Sequence, residues 1–126
     1  MSLKTKNFKS DINGWINLNK PEGISSFKCV SIIRKLMKIK KAGHAGTLDP
    51  LACGVLPIAL GEATKSLRFA IDNEKTYTFT ITWGSETSTD DKEGKILKKS
   101  NSRPSKKAIL EKIELFKGHI FQRPPN

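Results

Sequence analysis

The chain has 126 residues, 37% hydrophobic and 28% charged, with a mean hydropathy of −0.42. That composition lies at the polar end of globular chains and excludes collagen-like, membrane and disulfide-scaffold classes, and the length fits one compact domain. Nineteen Lys and four Arg against twelve carboxylates leave a formal charge of +11, which points outward, to partners and solubility, more than to the fold.

Apolar periodicity divides the chain into alternating short strands and helices, an α+β pattern with a mixed or antiparallel sheet flanked by helices. Residues 15–19 alternate, with Ile16 and Leu18 on one face, and stop at Pro21 and Gly23, so a short strand is predicted there. Ser25 or Ser26 is placed to cap a helix whose inner stripe is Phe27, Val30, Ile33 and Met37, with Lys28, Arg34, Lys35 and Lys38 outside. Residues 40–50 hold two glycines, a histidine and a proline without either period and read as an ordered loop. A buried strand is expected over 55–60, a short Ala-rich helix over 61–71, and a turn at Asp72–Asn73. Residues 75–83 give the clearest strand pattern, with Tyr77, Phe79, Ile81 and Trp83 on one face and four threonines on the other, which predicts one buried side. A polar loop over 85–94, a brief strand over 95–98, and a helix capped by Ser105, striped by Ile109, Ile113 and Phe116 and closed by Gly118, complete the pattern. The ending from His119 through Pro124-Pro125 reads as the entrance to another element.

Charge is unevenly placed. Residues 1–41 carry ten basic and two acidic groups, residues 42–91 three and seven, and residues 92–126 ten and three. Basic flanks around an acidic middle would draw a polyanion to the flanks by counterion release. A Lys-rich surface that is only solvated explains the total equally well. Two cysteines without C-x-x-C spacing, Cys29 and Cys53, and a start without an apolar secretory segment imply a reducing, cytoplasmic setting.

Metal binding has candidates in His44, Asp49, Cys53, Asp90 and Asp91, but neither H-x-x-x-H, paired cysteines nor a calcium-loop ladder occurs, so no metal is expected. Cys53 beside His44 could be a thiolate nucleophile, although its Leu-Ala-Cys-Gly-Val-Leu setting reads as a small core residue. The string Gly43-His44-Ala45-Gly46-Thr47-Leu48-Asp49-Pro50-Leu51-Ala52-Cys53-Gly54-Val55-Leu56 carries more. Pro50 disfavours a helical backbone at Asp49, the glycines admit a bulky ligand, and Leu48 and Leu51 should leave the carboxylate poorly solvated. In isolation, Leu-Asp-Pro would be an Asx-turn beside a proline.

With this string stand Gly14-Trp15-Ile16-Asn17-Leu18-Asn19-Lys20-Pro21-x-Gly23-x-Ser25-Ser26, Gly61-Glu62-Ala63-Thr64-Lys65, Lys75-x-Tyr77, Gly84-x-x-Thr87-x-Thr89-x-Asp91 and Gly118-x-Ile120-x-Gln122-x-Pro124-Pro125. Together these ordered motifs, from about Gly14 to the end, resemble the TruB family of tRNA pseudouridine synthases, which isomerise uridine 55 of the tRNA T-loop. The resemblance implies the N-terminal portion of a pseudouridine synthase fold. It implies a basic arm over 1–13, then a partial catalytic domain over 14–126, acting without cofactor on the T-arm stem-loop of tRNA, as a monomer and away from membranes. Asp49 is similar to the family's single catalytic aspartate, which acts as nucleophile in detaching uracil and rejoining it through carbon. By the same resemblance Tyr77 stacks on the flipped base and assists proton transfer, and His44 occupies the space vacated by displaced T-loop bases. Lys20, Gly46 and Thr47 lie in the substrate-binding motifs, Lys20 with a bracing role, and Lys65 contacts the RNA backbone. Family members continue to an arginine that pairs with the aspartate, an RNA-gripping insertion and a PUA domain. A truncated product with little activity is therefore expected, and the alternative is a catalytically silent basic RNA-binding or tRNA-chaperone module. A two-carboxylate glycosidase would need Glu62 or Asp72 as an acid partner for Asp49.

Overall fold

A computed structural model describes residues 12–71 and 74–121. The basic arm up to residue 11, the Asp72–Asn73 turn and the Pro124-Pro125 element fall outside these residues. The chain divides into two compact units between Thr76 and Tyr77, where its length alone leads to one domain.

In the first unit, β1 (Gly14–Lys20) alternates as the sequence requires, with Ile16 and Leu18 turned inward and Trp15, Asn17 and Asn19 outward. Its last residue, Lys20, is buried. Pro21 then removes a donor and Gly23 turns the chain at φ +83°. Ser25 caps α1 (Ser26–Met37) by accepting the Lys28 N–H at 3.2 Å. The buried side of α1 is Ser26, Cys29 and Val30, extended by Ile33 and Met37 against the core. Phe27, predicted for that stripe, is exposed. Four residues before Val30 lies Ser26, and one step further rotates Phe27 by about 100° off the seam.

The helix closes on Lys38 in the left-handed conformation, with the Ile39 N–H on the Arg34 carbonyl at 3.1 Å and Ile39 buried beneath it. This is a Schellman closure with lysine where glycine is usual.

The expected loop over 40–50 contains a short strand, β2 (Ala42–His44), followed by the central strand β3 (Gly54–Leu60). Both neighbours of β3 run antiparallel to it, in the order β1-β3-β2. Register pairs Leu18 with Leu56 and Ile16 with Ile58, so these side chains meet Cys29, Val30 and Ile39 in one core. A three-residue strand containing glycine carries no readable alternation, which hides β2 from sequence. Pro57 is tolerated inside the sheet because its carbonyl faces the β2 side, accepting from the Ala45 N–H at 2.9 Å. The absent donor faces that same side, just beyond the last β2 pair, His44 with Ile58.

Residues 61–71 form a 3₁₀ turn over Gly61–Ser66 and a short α2 (Leu67–Ile71) instead of one helix. Thr64 Oγ1 donates to the Gly61 carbonyl and Ser66 Oγ to the Ala63 carbonyl, each at 2.7 Å, and such three-residue back-bonds favour the tighter turn.

The predicted strand over 75–83 is not formed, and Tyr77, Phe79, Ile81 and Trp83, all in the second unit, are exposed. Alternation reports which face a strand would bury, but a ladder needs a neighbour, and among the described residues none pairs with this segment. The polar loop and brief strand are resolved as a hairpin of β4 (Ser85–Thr87) and β5 (Ile96–Lys99). Ser105 caps α3 (Lys106–Ile113), which continues into a 3₁₀ turn over Glu114–Phe116 and ends near Gly118 at φ +75°. Of its predicted stripe Ile109 is half-buried, whereas Ile113 and Phe116, the latter in the 3₁₀ turn, are exposed.

Candidate active site

The segment Leu48–Asp49–Pro50 links β2 to β3, and the first unit grips it on both sides of the aspartate. Ser26, 1% exposed, donates its hydroxyl to the Leu48 carbonyl and accepts the Leu48 N–H, both at 2.9 Å. On the other side the Pro50 carbonyl accepts the Gly23 N–H at 2.7 Å and the Lys20 ammonium at 3.2 Å. Lys20 is 0% exposed and also donates to the carbonyls of Pro21 at 2.9 Å and Ile24 at 2.7 Å. Three carbonyl oxygens thus satisfy the three N–H bonds of one buried ammonium, which ties the end of β1, the entry to α1 and the Asp49 loop together.

Asp49 begins a turn in which its own carbonyl accepts the Ala52 N–H at 3.0 Å, with Pro50 at the second position where its fixed φ fits. The Asp49 side chain is exposed, contrary to the poor solvation expected from its leucine neighbours. Leu48 turns into the core, and in an extended segment the next side chain points the other way. Nor does the carboxylate form an Asx-turn; the turn is closed by backbone. The result is a fixed main chain presenting an accessible carboxylate, a nucleophile or base for a ligand arriving from solvent.

His44 stands at the end of β2 with Nδ1 3.1 Å from the Gly46 carbonyl. A carbonyl only accepts, so Nδ1 is the donor of this bond. Gly46 has φ +83°, which favours glycine, and a Cβ there would lie 3.2 Å from the Lys75 Cε, a contact that the flexible lysine tail can relieve. Thr47 is exposed beside it. These residues, with Lys20 and Asp49, are gathered on one loop system in the first unit. Cys53, read as a core residue, is exposed, whereas Cys29 is buried.

Lys65 lies at the other end of β3, separated from the Asp49 loop by a seven-residue strand, about 20 Å. It pairs with Glu62 at 2.5 Å, and Lys41 approaches the same carboxylate at 3.5 Å. The Lys65 hydrogen bond and charge, then Lys41, hold the Glu62 carboxyl below its ordinary range, and the Lys65 ammonium is raised above its own. A carboxylate kept ionised and far from Asp49 is unsuited to be the acid of a glycosidase pair; Asp72 lies outside the described residues.

Tyr77, 58% exposed, heads the second unit. In that unit Asp91 organises the hairpin loop: Thr89 Oγ1 donates to its carboxylate at 2.5 Å, the Glu93 N–H at 2.8 Å, and Thr87 Oγ1 donates to its carbonyl at 2.7 Å. The Thr89 bond, then the Glu93 amide, lower the Asp91 carboxyl. Among the described residues no three His, Cys, Asp or Glu side chains gather as metal ligands would, and no helix is long and apolar enough to cross a membrane. Sequence reasoning missed Ser26; the available signal was the serine pair, of which one suffices to cap α1.

The model of the TruB family pseudouridylate synthase N-terminal domain matches residues 34–126. A tRNA pseudouridine synthase B from Ehrlichia chaffeensis is 56% identical over 113 residues, covering 90% of this chain and 38% of the relative. One from Nitrobacter winogradskyi is 50% identical over 117 residues, covering 93% and 33%. The chain thus spans between a third and two fifths of the length of these curated relatives. A solved structure described as an H/ACA RNP bound to a substrate RNA containing 2′-deoxyuridine aligns with 50% identity and a TM-score of 0.44, over 44% of this chain and 18% of that one.

Proposed function

Because the chain belongs to the TruB family of pseudouridylate synthases, we propose that Asp49 is the catalytic carboxylate for isomerising a T-loop uridine of tRNA to pseudouridine. The observation that carries this reading is the grip on Leu48 and Pro50, which fixes the backbone and leaves the Asp49 carboxylate exposed. The reaction breaks the bond from N1 to the ribose C1′ and forms one from C5 to C1′. The C5 proton leaves and N1 gains one, so atoms and electrons balance without oxidant or cofactor. Asp49 acts as nucleophile at the ribose C1′, its oxygen bonding there as the N1–C1′ bond breaks and leaving again as the C5–C1′ bond forms, and holding it in position supplies orientation in advance.

Tyr77 is assigned to stacking on the everted base and to aiding the C5 proton transfer, and His44, with Gly46 and Thr47, to receiving the loop around it. Lys65 is assigned to an RNA phosphate that competes with Glu62 for its ammonium. Lys20 serves the site through the Pro50 carbonyl. The protein works as a cytoplasmic monomer in this reading, with residues 14–126 forming the first part of its catalytic domain.

Tritium release from RNA labelled at uridine C5 tests the assignment with the protein at its cellular length. Release from a T-arm stem-loop but not from a scrambled hairpin, lost in Asp49→Asn, is the expected result; undiminished release by Asp49→Asn overturns it. The basic flanks favour a second reading, a silent RNA-binding module, which predicts salt-sensitive tRNA binding and no release from either protein.

A further inference from the structure

We infer that the outer face of α1 and the turn after it form a track for the RNA phosphate backbone leading away from the Asp49 site. The inference rests on the RNA-modifying reading above and names the surface that would hold the flanking strand.

Between Glu22 and Asp49 the sequence contains no carboxylate, yet it holds Lys28, Arg34, Lys35, Lys38, Lys40 and Lys41. All six are exposed. Among the described residues only Lys41 of these has a carboxylate within ion-pair distance, Glu62 at 3.5 Å. A lysine surface that is merely solvated is usually interleaved with acids, as α3 of this same chain is, where Lys107 and Glu111 pair at 4.0 Å. Lysine-rich composition alone would load both helices alike. The cations on α1 itself, Lys28, Arg34 and Lys35, have no carboxylate within ion-pair distance among the described residues, and a polyanion would supply the missing counter-charge.

Placement adds direction. The N-terminal turn of α1 is bonded through Ser26 to Leu48, next to Asp49, and the helix runs from there for twelve residues, about 18 Å. Lys28 and Lys35, seven apart, share one azimuth within about 20°, and Lys38, Lys40 and Lys41 continue at the far end. The inner side of α1 is locked into the core by Cys29 and Val30, so the row is rigid.

The test is the affinity of the protein for a T-arm stem-loop RNA between about 50 and 200 mM salt. Three proteins are compared: wild type, a triple variant Lys28→Gln/Lys35→Gln/Lys40→Gln, and an α3 control Lys106→Gln/Lys107→Gln/Lys112→Gln. The α1 variant is expected to flatten the log–log salt slope by about two to three and weaken binding, while the control keeps the wild-type slope. Thermal unfolding checks that each variant is folded. A wild-type slope in the α1 variant, or equal flattening in the control, overturns the track but leaves the RNA reading intact. Absence of salt-dependent RNA binding in the wild type overturns both.

Discussion

Lys20 is accommodated at 0% exposure because three carbonyl oxygens accept from its Nζ in place of water. Replacing it by Met leaves carbonyls of the loop without a donor. The Lys20→Met variant is expected to lose about 2–4 kcal/mol of stability by urea denaturation, and an unchanged midpoint would refute the bracing role. Its burial was not legible in sequence, since a lysine before a proline at a strand end carries no sign of whether solvent or main chain receives it. The motif around Asp49 was legible, but not its exposure, because the choice of which neighbour turns inward is made by Ser26 from another element. At Asp91 the folded carboxyl lies below its ordinary value of 3.8, through Thr89 and the Glu93 amide. The ionised form is therefore the bonded one: the contribution is present above the unfolded value and is lost as pH falls through the folded one. The Glu93 amide should report a transition below pH 3.8 by NMR titration, absent in Asp91→Asn; an identical transition in both would contradict the assignment.

Elements with their own period were readable and elements that depend on neighbours were not. β1 and α1 follow from alternation and from a serine cap, and α3 from Ser105 and its stripe. β2 is invisible because three residues with a glycine exist as a strand only by pairing with β3. The 75–83 segment errs in the opposite direction, having a strong pattern without a partner among the described residues. Helix closure offers a test at this scale. Lys38 holds φ +53° at the end of α1, a conformation that is strained for a residue with a Cβ. Lys38→Gly should raise stability by about 0.5–1 kcal/mol in chemical denaturation, and destabilisation would show that the closure is held by something other than backbone geometry.

Across the molecule, charge and chemistry are segregated. The acidic middle of the sequence contains the Asp49 loop, and of the basic residues preceding it Lys28, Arg34 and Lys35 are carried on α1, whose first turn holds that loop. Fixing the backbone with neighbours and leaving the Asp49 side chain uncommitted makes two effects separable: the fold relies on Ser26, Gly23 and Lys20, and the proposed reaction on Asp49. Asp49→Asn removes no hydrogen bond found among the described residues. The most direct measurement follows single-turnover pseudouridine formation in bound T-arm RNA, with unfolding stability recorded on the same samples. Asp49→Asn is expected to lower the rate by about 10³-fold or more while shifting stability by less than about 0.5 kcal/mol. A variant that retains more than about a tenth of the rate, or that loses its chemistry only because the first unit unfolds, would contradict it.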